Sequence, residues 1–205
     1  MRLLRENLEK VVNLDIREDE ELSNFLMENL NKENINLVDR SFNKGIMSNI
    51  TILNSNLEKN EFTDILFENC NFSNTSFENS SFIRCKFENC KLIGSNFAET
   101  RLYNVNVYES NMQYVNFSLA SIEKVLFKDS ILRNTSFSEN KLKGIKLEEV
   151  DLKMAQFFKT SLYGIDFSKS EIDGISVGIQ DIKGSTVNTL QALELAKLLE
   201  VNIIE

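Results

Sequence analysis

Cys70, Cys85 and Cys90 carry the most reactive groups in this sequence, and their chemistry would be metal ligation or thiol redox. Either role needs partners at a recognisable spacing. The cysteine count is odd and the chain has no histidine, so no familiar zinc pattern can be assembled. Hydroxyl or thiol nucleophiles also lack an imidazole base, and no glycine-rich phosphate loop occurs. These absences point away from an enzyme and from any cofactor. What remains is charge. The chain has 31 acidic against 23 basic residues, a net −8, which argues against a nucleic-acid binder because that needs a basic footprint.

The scaffold that must position these groups is set by a stride of five. From Leu37 through Phe42, Met47, Ile52, Leu57 and Phe62 to Phe137, Phe157, Ile182 and Val187, every fifth residue is large and apolar, 31 positions without a slip. Thirteen of the 15 phenylalanines lie on this lattice. Neither an amphipathic helix nor an alternating strand keeps that period, so the chain is an internal repeat. Two residues before each centre stands a small or β-branched residue, such as Thr75, Ser80, Ser95, Ala120 or Thr135. All three cysteines fall in this column, where they read as buried small hydrophobes in a reducing compartment. Two inward residues alternating with polar outward ones make a short pleated strand. Asn69, Asn74, Asn89, Gly94, Gly144 and Gly164 follow two residues after a centre, and these types tolerate the left-handed turn a corner requires.

Strand, corner and strand again build a flat-sided coil. The stretch NCNFSNTSFENSSFIRCKFENCKLIGSNF (69–97) resembles the pentapeptide-repeat family. That resemblance implies an all-β solenoid, a right-handed quadrilateral β-helix of nearly eight coils. With four sides, columns recur every 20 residues, and coils about 4.8 Å apart give a rod of roughly 38 Å. One column, Leu37, Leu57, Phe77, Phe97, Phe117, Phe137, Phe157 and Val177, predicts a ladder of stacked rings.

Residues 35–187 form the β-helix in this reading. Residues 1–34 are expected to be a helical N-terminal cap, because Leu4, Leu8, Val11 and Val12, and then Leu22, Phe25, Leu26 and Leu30 after acids at 18–21, have helical spacing. Residues 188–205 are expected to be a C-terminal helix and tail opened by a capping box, Asn188 with Gln191. Its apolar surface is too large for a lone helix. Beyond closing the last coil it should present Leu190, Leu193, Leu198, Leu199, Val201 and Ile203 to a second copy, giving a two-fold homodimer. No apolar run is long enough to span a membrane, and the N-terminus lacks a signal peptide, so a cytoplasmic protein is expected.

Sorted by side, the acids concentrate on the one centred on Phe67, Phe87, Val107, Phe127 and Leu147, with Glu68, Glu88, Glu109, Asp129, Glu148 and Glu149 as the candidate partner-binding face. The side centred on Phe82, Leu102, Ile122 and Leu142 is the basic one. The ending IKGSTVNTLQALELAKLLEVNII, with DLKMAQFFKTSLYGIDFSKSEIDGISV before it, is similar to the Qnr-type members of the family, above all those of Gram-positive chromosomes. That likeness implies a dimeric rod that mimics DNA, engages DNA gyrase or topoisomerase IV where DNA would lie, and protects them from quinolones. It also implies surface loops in many members. Here the stride never breaks from 37 to 187, so no such loop is expected. The alternative is a non-enzymatic scaffold that meets another partner through exposed residues such as Tyr103, Tyr163, Ile83, Leu126 and Phe158.

Overall fold

The computed structural model describes residues 5–14 and 21–201. From Asn24 to Gly164 every fifth residue adopts a positive φ, between 48° and 77°. These are the corners. Between them the chain can extend for only three residues, which is why most strands are as short as Ser81–Ile83, Lys86–Glu88 or Arg101–Tyr103. Four corners return the chain to its starting side, and strands pair in parallel at a constant offset of 20: Leu22 with Phe42, Phe42 with Phe62, Phe62 with Phe82, Phe82 with Leu102, Leu102 with Ile122, and Ile122 with Leu142. The result is a parallel β-solenoid of about seven turns with one short C-terminal helix.

The lumen is filled by the stride. Phe77, Phe97, Phe117, Phe137 and Phe157 form a ladder with ring centroids 4.9 to 5.3 Å apart. Phe117, Phe137 and Phe157 stack as the column predicts, while Phe97 is tilted by 34° to Phe77 and by 45° to Phe117. Burying one such ring contributes about 2–3 kcal/mol. The small column satisfies backbone groups from within. Thr75, Ser95, Thr135 and Thr160 donate hydroxyl hydrogen bonds of 2.6 to 3.0 Å to the carbonyls of Ile52, Phe72, Met112 and Phe137, each 23 residues earlier. The three thiols make the same contact, with the carbonyls of Met47, Phe62 and Phe67.

The N-terminal segment departs from the expected helical cap. Among the described residues it holds one 3-10 turn, Arg5–Asn7, and strands Glu9–Val11, Glu21–Ser23, Phe25–Glu28 and Asn31–Glu33. Leu22 and Met27 lie on the stride of five and stack beneath Phe42 and Met47, so helical spacing over 22–30 is incidental to a coil. Leu4 and the acids at 18–20 lie outside the described residues. Phe25 occupies a small-column position. Gly45 makes room for it, since a Cβ there would sit 2.2 Å from the Phe25 ring.

The solenoid opens at one place. The strands Lys141–Lys143 and Lys146–Glu148 are the last in their two ladders, although a further coil follows them. Gly144 and Glu149 lack the N–H bonds that their counterparts Lys124 and Asp129 donate to the next coil, and Ser161 and Asp166 lack those that Lys141 and Lys146 donate to the previous one. The other two sides remain closed through Leu152 to Glu171 and Phe157 to Ser176. The coil beyond pairs onward, with bonds from Leu162 to Asp181 and Phe167 to Thr186.

The C-terminal helix, Thr189–Ala196, carries the expected capping box: Asn188 accepts from the Gln191 N–H at 3.0 Å and donates its own N–H to Gln191 Oε1 at 2.9 Å.

Candidate partner-binding surface

The six predicted acids fall on two neighbouring rows of one face. Glu68, Glu88 and Glu148 are outward strand residues, in register through Tyr108 and Lys128, which stand between them. Glu109, Asp129 and Glu149 occupy the adjoining corner, at φ 48°, 50° and 53°. Moving from Glu88 across to the corner, a line of carboxylates ascends one per coil: Glu68, Glu88, Glu109, Asp129, Glu149. Its step is about 4.8 Å, the spacing of hydrogen-bonded strands.

The strand acids are partly neutralised. Glu68 receives a hydrogen bond from the Ser48 hydroxyl at 2.9 Å and pairs with Arg5, whose other nitrogen reaches Glu28 at 2.7 Å. Arg5 therefore clips the N-terminal segment across this face. Glu88 pairs with Lys86, and Glu148 with Lys128 at 3.6 Å. Glu109, Asp129 and Glu149 are exposed and have no ion-pair partner among the described residues. The corner trio thus carries the uncompensated charge. The sequence placed all six on one face but did not separate paired from free acids: Arg5, which pairs with Glu68, is distant in the chain, and the pairings of Lys86 and Lys128 are settled by side-chain geometry.

The basic side is engaged largely with itself. Arg84 grips Asp64 through two bonds of 2.7 Å, holding that carboxyl below its usual range. Lys124 contacts the Tyr103 hydroxyl at 2.9 Å and lies over its ring. Of the residues expected to serve a scaffold, Tyr163 and Phe158 are exposed, whereas Tyr103, Ile83 and Leu126 are half-covered by neighbouring rows.

At the C-terminal end the predicted interface residues divide. Gln191 is buried, donating from Nε2 to the carbonyls of Phe167 and Ser170 at 2.9 and 2.6 Å. Leu195 and Leu198 pack against the core beneath the helix. Leu198 is therefore part of the plug. Leu190, Leu193, Leu199 and Val201 face outward, Leu190 with 77% of its surface accessible. Ile203 lies outside the described residues.

Among the described residues no group of three or more Cys, Asp or Glu could hold a metal ion. Burial pushes the Cys85 thiol up to about 12. The lumen voids are apolar and small, about 20 Å³ beneath Phe127 and Phe137. No described helix is long and apolar enough to cross a membrane.

The sequence matches the family model of pentapeptide repeats (eight copies) over residues 61–97 and that of the pentapeptide repeat region over residues 80–157. No curated protein matches it. Similar solved structures include two trypsin-treated variants of QnrB1, a plasmid-mediated fluoroquinolone resistance protein. One is 15% identical, with 85% of this chain and 100% of that chain covered and a TM-score of 0.48. The other is 16% identical, with 96% of each chain covered and a TM-score of 0.43. A pentapeptide repeat protein, Rfr23, from the cyanobacterium Cyanothece 51142 is 11% identical, with 80% and 91% covered and a TM-score of 0.27.

Proposed function

This chain is a pentapeptide-repeat protein, and from that premise we propose that its rod is a non-enzymatic mimic of DNA. It binds a type II topoisomerase of the cytoplasm, DNA gyrase or topoisomerase IV, and shields it from quinolones. The observation that carries this reading is the line Glu68, Glu88, Glu109, Asp129 and Glu149, ending in three unpaired corner carboxylates. Duplex DNA presents one charge per ~1.7 Å of axis, so one acid per coil of about 4.8 Å is a sparser track. A cationic DNA channel would still hold it, with affinity that falls steeply as salt is added.

The exposed Leu190, Leu193, Leu199 and Val201 support a second element, a two-fold homodimer that doubles the length of the track. Leu198 and Gln191 hold that surface in place from below. The test is gyrase supercoiling against protein concentration, with and without ciprofloxacin. The expected result is salt-sensitive binding and rescue, both lost when Glu109, Asp129 and Glu149 are changed together to lysine. Unchanged activity of that triple variant would sink DNA mimicry.

One observation favours a different reading. Tyr163, Phe158, Tyr114 and Leu119 expose aromatic and aliphatic surface on other sides of the rod. An interaction scaffold using them would bind its partner with little salt dependence and would be indifferent to the acidic triple change.

A further inference from the structure

We propose that the opening between residues 141–149 and 161–169 is a strand-acceptor slot for an extended acidic–apolar segment of a partner polypeptide. Elsewhere on these sides each coil spends its edge on the next. Here two edges face one another, and the N–H groups of Gly144 and Glu149 on one wall, and of Ser161 and Asp166 on the other, have no partner among the described residues. The Ser168 carbonyl, by contrast, is taken by Asn188 Nδ2 at 3.0 Å. Free edges of this kind accept an added strand through main-chain hydrogen bonds.

Three further features give the slot a floor and a preference. A cavity of about 230 Å³ lies between Ile145, Lys146, Leu147 and Glu148 on one wall and Gly164, Asp166, Ser168 and Lys169 on the other. A Cβ added at Gly164 would meet nothing within 4 Å. Beneath, Leu142, Ile145 and Leu147 are only half-buried, unlike Ile122, Val125 and Phe127 one coil earlier. At the start of the edge, Asn140 is 7% exposed and its Nδ2 has no hydrogen-bond partner, the only such buried side-chain atom among the described residues. On the lip, Lys141, Lys143 and Lys146 are exposed, and among the described residues only Lys143 of the three reaches a carboxylate, Glu123 at 3.7 Å.

The stacking rule then specifies the occupant. A parallel strand laid on Lys141–Lys143 would place one inward side chain on Leu142 and its two outward neighbours beside Lys141 and Lys143. The favoured pattern is acidic, large apolar, acidic. This site borders the acidic corner at Glu149, whose N–H stands on one wall, but it does not depend on the topoisomerase reading.

The test uses the full chain and three fluorescein-labelled octapeptides in fluorescence anisotropy: alternating Glu and Leu, four Glu followed by four Leu, and the alternating peptide N-methylated at every second residue. The alternating peptide should bind saturably. The other two should bind at least ten-fold more weakly, as should the alternating peptide to a Lys141→Glu, Lys143→Glu variant with an unchanged unfolding midpoint. Amide hydrogen exchange supplies an independent readout. Gly144, Glu149, Ser161 and Asp166 should exchange fast in the free protein, while Lys124, Asp129, Lys141 and Lys146 stay protected, and the peptide should slow the first four. Equal binding of the blocked peptide would reduce the effect to apolar adhesion and overturn the proposal. So would protection of those four amides in the free protein at low concentration, which means a closed slot. Their protection only on raising protein concentration, without peptide, would assign the slot to a second copy instead.

Discussion

Phe25 and Gly45 show how tightly one coil is fitted to the next. The ring enters a column otherwise filled by small or β-branched residues, and a missing Cβ at Gly45 above makes space for it. Gly45→Ala should therefore cost about 2 kcal/mol, as overpacking of a tight core does, read as a lower denaturation midpoint. Asp64 offers a different test. Its carboxyl ionises more easily in the folded state because of the Arg84 hydrogen bonds. The folded state then binds fewer protons there than the unfolded one, so this contribution is present above the ordinary aspartate pKa of about 3.9 and is lost as pH falls through the lowered folded value. Arg84→Gln should be destabilised at pH 7, and its difference from the parent should vanish in strong acid. Cys70, Cys85 and Cys90 were legible from the stride alone, which put them inside. They take the same inward bonds as Ser and Thr, and because all three are buried, with Cys85 also pushed up to about 12, none should react with Ellman's reagent until the protein unfolds. Rapid labelling of the native protein would contradict that burial.

At the scale of elements the two ends make an instructive pair. The C-terminal helix could be read because Asn188 and Gln191 form a local box whose chemistry needs no tertiary contact. The second use of Gln191, bonding the Phe167 and Ser170 carbonyls, could not, since it depends on where the helix lands. Gln191→Ala leaves those carbonyls unsatisfied and should cost about 2–3 kcal/mol in chemical denaturation. Leu190→Asp should change stability by less than about 0.5 kcal/mol while abolishing any association seen by light scattering. The N-terminal segment misleads for a local reason. Leu22 and Met27 keep the stride, but Lys32 stands on the next lattice position and faces solvent, so the unbroken apolar run of the sequence begins only at Leu37. With the lattice interrupted, the fortuitous helical spacing of Leu22, Phe25, Leu26 and Leu30 was the stronger signal.

On the scale of the whole molecule, the solenoid follows from side-chain size at every fifth residue, whereas its opening does not. Leu142, Leu147, Leu162 and Phe167 keep the stride across the gap without a change of type, so no residue announces that two sides part there. The acidic face is legible, but its free charges are not, since Arg5 reaches Glu68 from a distant segment, Lys86 reaches Glu88 along its own strand, and Lys128 reaches Glu148 from one coil away in the same row. The constant offset of 20 has one more consequence, which concerns editing. Duplicating residues 101–120 should lengthen the rod by one step of about 4.8 Å and leave every later side chain on its own side, with the helix still sealing the end. Duplicating only five residues would turn everything downstream by a quarter revolution and carry Asp129 and Glu149 away from Glu68 and Glu88. Length in this architecture is quantised, and an insertion that is not a multiple of the coil rewrites the compass bearing of all that follows it.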